Sequence, residues 1–238
     1  MVGAVLISFG TVIAIIVLCI IMMVFLPSNK NFYKSSVFDD SSSKSTIDRL
    51  CTILIGGMDD RFVKKKLQRF VSNIESHQWC PYPGDSWMTA DKNQVFKYIP
   101  FVPNDITGLE KGILEIAGWD SKDMISSSKG VVLSGLLKID ENSIMNPHKT
   151  WRTLGNATLR CLIPLKSPSS DIDDCGVWVD NDIRRIKFGE MIIFDHSKMW
   201  SLYNKEEDSS CIFLFIDISR PWAAHLGSSE VPDLEVDN

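Results

Sequence analysis

Four short segments of this chain carry the side chains able to do chemistry. In order they are Ile144-Met145-Asn146-Pro147-His148, then Leu159-Arg160-Cys161-Leu162-Ile163-Pro164-Leu165, then Ile186-Lys187-Phe188-Gly189-Glu190-Met191-Ile192-Ile193-Phe194-Asp195, and last Phe215-Ile216-Asp217-Ile218-Ser219-Arg220-Pro221. His148 follows a proline at the mouth of a loop, where an imidazole serves a turn or an interface as readily as a ligand site. Arg160 sits in an apolar run. Its planar fork suits a carboxylate such as that of Asp217, or a buried carbonyl. Asp195-His196-Ser197 reads as a turn in which the short carboxylate caps a nearby amide.

The cysteines support no recognisable site. The chain has six. Cys19 falls in the apolar amino-terminal stretch, which leaves Cys51, Cys80, Cys161, Cys175 and Cys211, none of them in C-x-x-C spacing. That spacing excludes a zinc or thioredoxin-type motif, and the odd count gives no disulfide framework, although one or two bridges stay open in an oxidising compartment. Trp151, Trp178 and Trp200 read as core or rim aromatics. Asn156-Ala157-Thr158 is the one glycosylation sequon, relevant only to a lumenal or extracellular domain.

The elements that must position these residues divide the chain. Val2 to Leu26 contain no charged side chain, and a helix of that length, at about 1.5 Å per residue, outspans a hydrocarbon core of about 30 Å. An uncleaved single-pass membrane anchor is therefore expected over residues 1–28. Nothing basic precedes the run, which argues against a cleaved signal. Residues 29–46 are polar and serine-rich and read as a linker, residues 47–228 as one domain, and residues 229–238 as an acidic tail. The net charge of −5 and the absence of a long Lys/Arg run argue against a nucleic-acid partner.

Within the domain the periodicity changes partway. Asp59–Glu75 sets Phe62, Val63, Leu67, Phe70, Val71 and Ile74 at helical spacing, and Asn104–Gly118 does the same with Ile106, Leu109, Ile113, Leu114 and Ile116. After Lys129 come short apolar runs at 131–139, 157–165, 176–179, 183–188, 191–195, 199–203 and 211–218, with turns expected at Asn181-Asp182 and Phe188-Gly189-Glu190. Seven strands at hairpin spacing with no helical pattern between them predict an antiparallel sandwich, jelly roll or barrel. The fold class is α+β, with helices first.

The order and spacing of the four segments resemble the aspartyl/asparaginyl β-hydroxylase family, which passes from a P-H loop to an L-R-x-x-L strand, to a G-x-x-x-x-F-D strand and to a D-x-x-x-P segment. The resemblance runs from about Val131 to Trp222, and Trp79–Phe101 would supply a flanking sheet. It implies a double-stranded β-helix of jelly-roll, cupin-like type and an Fe(II)- and 2-oxoglutarate-dependent dioxygenase that hydroxylates Asp or Asn side chains of a protein or peptide. Carried over by position, His148 is the first metal histidine and Arg160 an arginine for the 2-oxoglutarate carboxylate. Three positions depart from the pattern: Trp200 replaces the second metal histidine, Cys211 a second cosubstrate arginine, and Leu162 a further histidine. His196, four residues before Trp200, is the substitute ligand to consider, with Asp195 as an oxygen donor.

Two readings follow from the resemblance. One is a membrane-tethered oxygenase that works through His148, Arg160 and His196. The other is an inactive relative that keeps the β-sandwich as a binding or structural module, its pocket filled by Trp200. Lys30 and Lys34 after the apolar run favour a cytosolic domain, whereas the family's substrates follow the secretory path. The latter is given the greater weight and sets the domain on the lumenal or extracellular side.

Overall fold

The computed structural model of the chain describes residues 12–18, 30–58, 60–75, 79–81, 96–101, 109–116, 125–167, 174–224 and 226–233. Among the described residues eleven strands make two antiparallel sheets. The larger has the order β1 (Phe32–Tyr33), β9 (Ile192–Phe194), β6 (Thr158–Lys166), β11 (Cys211–Ser219), β4 (Val131–Ile139), β3 (Phe96–Pro100) and β2 (Cys80–Pro81). The smaller has the order β5 (Ser143–Ile144), β10 (Trp200–Asn204), β7 (Cys175–Val179) and β8 (Asp182–Arg185). This is the expected jelly roll, with each of the seven apolar runs after Lys129 becoming a strand.

Strand alternation sorts the residues of the large sheet between two cores, because successive side chains point to opposite faces. On β6, Leu159, Cys161, Ile163 and Leu165 join one cluster, while Leu162 joins the other. On β11, Ile212, Leu214, Ile216 and Ile218 face the first, and Cys211, Phe213 and Phe215 face the second. The first, outer cluster is closed by the helix Arg61–Glu75 through Leu67, Val71 and Ile74, and by the helix Leu109–Ile116 through Ile113 and Leu114. The second, inner cluster fills the space between the two sheets. Sandwiched between helices and the second sheet, β6 and β11 are buried along nearly their whole length.

Local chemistry sets the boundaries. Asp60 begins the long helix, its Oδ1 accepting from Phe62 N at 2.6 Å and Val63 N at 3.4 Å, which satisfies donors with no intrahelical partner. Phe62, expected on the apolar face, is 79% exposed. Gly189 takes a φ of 78° in its expected turn, whereas at the other turn Asp180 adopts the positive φ, 48°. Gly135 in β4 is held between β3 and β11. An added Cβ would lie 2.3 Å from Ile99 O and 2.9 Å from the Phe215 ring.

The amino-terminal expectations need correction. Of the apolar run at 2–26 only residues 12–18 are described, as an exposed helix. Among the described residues no helix is long and apolar enough to cross a membrane. The expected transmembrane helix, and with it the single-pass membrane localisation, is not supported. The rest of that run lies outside the described residues, as do His77 and His225. The segment read as a polar linker is packed into the fold: Phe32 and Tyr33 pair with Phe194 and Ile193, Phe38 is fully buried, and Lys44–Arg49 is helical. Part of the segment read as an acidic tail is also docked, with Ser229 buried and Arg152 N donating to Val231 O at 2.7 Å.

Candidate functional site

His148 and Trp200 are neighbours across an isolated antiparallel bridge, with His148 N donating to Trp200 O at 3.0 Å and Trp200 N to His148 O at 2.9 Å. The two positions that the resemblance assigns to metal histidines are thus side by side, and the question is what their side chains can do. Trp200 is fully buried. Its ring centroid lies 4.6 Å from that of His148 and 5.4 Å from that of Phe194, and the Arg160 guanidinium carbon is 5.2 Å from the indole centroid. The indole therefore occupies the space that His148, Phe194 and Arg160 enclose.

His148 is a neutral imidazole. Burial, opposed by the bond to Asn146 and helped by the nearby Arg160 charge, lowers its pKa to about 4. Nδ1 is 3.0 Å from Asn146 O. A carbonyl only accepts, so Nδ1 carries the proton and Nε2 keeps its lone pair. That is one nitrogen donor of the kind a metal would need.

His196 does not provide a second. Its Nδ1 lies 3.0 Å from Thr150 Oγ1 and its Nε2 2.8 Å from Thr158 Oγ1. Thr158 gives its single hydroxyl proton to Leu154 O at 2.7 Å, so it must accept from His196 Nε2–H. The other nitrogen is then bare and takes the Thr150 hydroxyl proton, while Thr150 Oγ1 accepts the indole Nε1–H of Trp200 at 3.3 Å. Protons therefore run in one direction along Trp200, Thr150, His196, Thr158 and Leu154. Burial, then the charges of Arg160 and Arg220, hold the His196 pKa well below the usual histidine value, so the ring is neutral. The expected turn of this imidazole toward His148 as substitute ligand is not met, because both of its nitrogens are committed.

Nor is Asp195 available as the oxygen donor. Its Oδ1 accepts from Ser197 N at 3.1 Å, Ser197 Oγ at 2.6 Å and Arg220 Nη2 at 2.6 Å, and its Oδ2 from Arg220 Nη1 at 2.9 Å. The amide-capping role read from the sequence is present at Ser197. Arg220, which sequence reasoning passed over, also donates to the carbonyls of Asn156, Gly155 and Thr158. Its place in the D-x-x-x-P segment was the only sequence signal for it.

Arg160 is fully buried, and so is the carboxylate it meets. Nε donates to Asp217 Oδ1 and Nη2 to Asp217 Oδ2, both at 2.7 Å. Of the partners open to this fork, the protein's own aspartate is one it engages, through the direct β6–β11 pairing of Arg160 with Asp217. The guanidinium also stacks between Trp200 and Phe215, 5.2 and 5.3 Å from their ring centroids.

The three departures from the family's pattern converge. Leu162, Trp200 and Cys211 are all fully buried and belong to the same inner cluster. An iron and a 2-oxoglutarate molecule do not fit this set of residues: one histidine nitrogen is available, the arginine is neutralised, and the remaining positions are apolar. Among the described residues, no group of three His, Cys, Asp or Glu side chains could hold a metal ion. The interval from His148 to Arg160 holds the helix Arg152–Ala157, at whose end Thr158 bonds both Leu154 O and His196 Nε2. Asn156, the sequon residue, is engaged in the fold: Nδ2 donates to Ser229 O at 3.0 Å and Oδ1 accepts from Ser229 N at 2.7 Å.

Comparison with known proteins gives a family match and distant structural likenesses. Residues 124–221 match the family model described as aspartyl/asparaginyl beta-hydroxylase. No curated protein matches the chain. HygX from Streptomyces hygroscopicus, solved with nickel and 2-oxoglutarate bound, has a TM-score of 0.44 at 10% identity, covering 66% of this chain and 80% of that one. A Trichoplax adhaerens prolyl hydroxylase in complex with a hypoxia inducible factor peptide fragment also scores 0.44, at 8% identity, covering 74% and 92%. The cupin domain of Schizosaccharomyces pombe Cnp3 scores 0.36 at 8% identity, covering 61% and 71%. These likenesses are weak, and the assignment rests on the matched segment. From residue 124 to residue 221 the chain is similar to the aspartyl/asparaginyl β-hydroxylase family.

Proposed function

We propose that this domain is an inactive relative of the aspartyl/asparaginyl β-hydroxylases, in which the oxygenase centre has become a packed core and the two-sheet scaffold serves as a protein-binding module. The observation that carries the reading is Trp200: it stands where the second metal histidine is expected, fills the space against His148 and Arg160, and anchors the directed hydrogen-bond chain through His196. An oxygenase of this type needs open metal positions and a cation left for the cosubstrate. His148 alone offers a single nitrogen, and Asp217 already satisfies the Arg160 fork.

A binding role directs attention to the surface. A cleft of about 870 Å³ beside β1 is lined by Lys30, Lys34, Arg184, Arg185 and Lys187 with one acid, Glu190. On a chain of net charge −5 this concentration of basic side chains suits an acidic segment of a partner protein, which it would attract over a Debye length of about 8–10 Å.

Anaerobic calorimetry of the purified chain with Fe(II) and 2-oxoglutarate tests the catalytic half of the proposal. The expected result is no saturable binding and, in a separate aerobic assay, no succinate release with Asp- or Asn-containing peptides. Micromolar binding abolished by His148→Ala would overturn it.

A further inference from the structure

The inner cluster contains two thiols that no sequence motif pairs. Cys175 opens β7 in the small sheet and Cys211 opens β11 in the large one, 36 positions apart. Both are buried, and their Sγ atoms are 2.6 Å apart, about half an ångström beyond a disulfide bond of about 2.05 Å. Neither strand end is free to drift. Cys175 pairs with Asn204 of β10, and Asn204 Nδ2 donates at 2.7 Å to Ser209 O, two residues before Cys211. The position that the family resemblance gives to an arginine thus holds a cysteine, and the facing strand holds its partner.

We propose that Cys175 and Cys211 form a disulfide that joins the two sheets, made as the domain folds in the presence of a small-molecule disulfide such as oxidised glutathione. The thiolate of one cysteine attacks a glutathione sulfur, forming a mixed disulfide and releasing one glutathione thiolate. The thiolate of the other then attacks the protein sulfur of that mixed disulfide, forming the Cys175–Cys211 bond and releasing the second glutathione thiolate. Two cysteine thiols are oxidised, one glutathione disulfide is reduced to two thiols, and the two cysteine protons pass to the leaving thiolates. Folding is the moment for this exchange. In the closed, reduced domain the hydrogen bond with Cys175 and then burial push the Cys211 thiol up, which leaves little thiolate to react. The same burial keeps reductants from the bond once it is made.

The test uses the full-length chain, refolded either with oxidised and reduced glutathione or with a strong reductant alone. Each sample is then denatured, alkylated and digested for mass spectrometry. The oxidised sample is expected to yield the Cys175 and Cys211 peptides joined and lighter by two hydrogens. Its Tm should exceed that of the reduced sample by roughly 10 °C, as expected for closing a loop of this length in a domain of this size. The double variant Cys175→Ala/Cys211→Ala should lose that redox dependence. Complete alkylation of both cysteines in the oxidised sample, or their linkage to Cys51, Cys80 or Cys161 instead, would overturn the proposal. The peptide readout is made on the unaltered chain and does not depend on any variant folding.

Discussion

Replacing Asp217 by Asn isolates the electrostatics of the position that the resemblance assigns to the cosubstrate. The side chain keeps its shape and one acceptor oxygen, but the fully buried Arg160 guanidinium loses its counter-charge. Removing one partner of a buried, bidentate ion pair costs about 3–5 kcal/mol, because the remaining charge stays desolvated. At about 2–4 °C per kcal/mol for a domain of this size, Tm should fall by about 6–20 °C. The double replacement Arg160→Met/Asp217→Leu removes both charges and keeps the volume, so it should recover most of that loss. Urea titrations of the single and double variants give the coupling free energy directly. If Arg160 were instead held ready for a dicarboxylic acid, millimolar 2-oxoglutarate would raise the Tm of Asp217→Asn toward the parent value. That rescue, or a loss under about 1 kcal/mol in the single variant, would refute the assignment of Arg160 to a self-contained ion pair.

Trp200→Ala should destabilise the domain by about 3–5 kcal/mol, as for other buried aromatics cut to alanine. Trp200→Phe, which loses mainly the indole N–H bond to Thr150, should cost about 1 kcal/mol, and chemical denaturation separates the two. His148 and His196 both have lowered folded pKa values, so the unfolded chain takes up protons that the native state refuses. Stability is then flat above the unfolded histidine value of about 6.5 and falls with pH below it, down to about 4 for His148. Urea midpoints measured at neutral pH and near pH 5 should show the drop, and His148→Gln should reduce its slope. Gly135→Ala should separate β3 from β4, since the new methyl meets the Ile99 carbonyl; hydrogen exchange at residues 96–100 reads this out. Arg184→Glu/Arg185→Glu should abolish salt-dependent binding of acidic peptides to the cleft without lowering Tm, as fluorescence anisotropy would report.

Much of the large sheet was legible because β4, β6 and β11 are apolar on both faces, and their length and spacing announce strands. The two-residue strands β1, β2 and β5 were not, since so short a pairing leaves no period to read. Phe32, Tyr33 and Phe38 are too sparse among serines and lysines to mark 29–46 as part of the core. The apolar amino-terminal run was expected to span a membrane from its length, hydropathy and flanks, and among the described residues no helix is long and apolar enough to do so. At the site, the positions of His148, Trp200 and Arg160 were legible by resemblance, and Asp217 was among the partners in view for Arg160. The bonds of His196 to Thr150 and Thr158 join residues 46 and 38 positions apart, and the two cysteines were a contact between sheets. Neither could be seen without the fold.

The shared burial of Leu162, Trp200 and Cys211 bears on what mutation could recover. A histidine at 200 would leave a void beside Phe194 and strand Thr150 without its indole donor. A histidine at 162 would put a polar ring among phenylalanines, and an arginine at 211 would bury a cation against Cys175 with no carboxylate assigned to it. Each single step toward the oxygenase pattern thus lowers stability before any metal could be held, and neighbouring changes of this kind do not act additively. The route back is closed to one substitution at a time, and only a combined replacement, with His196 released from its threonines, would cross it.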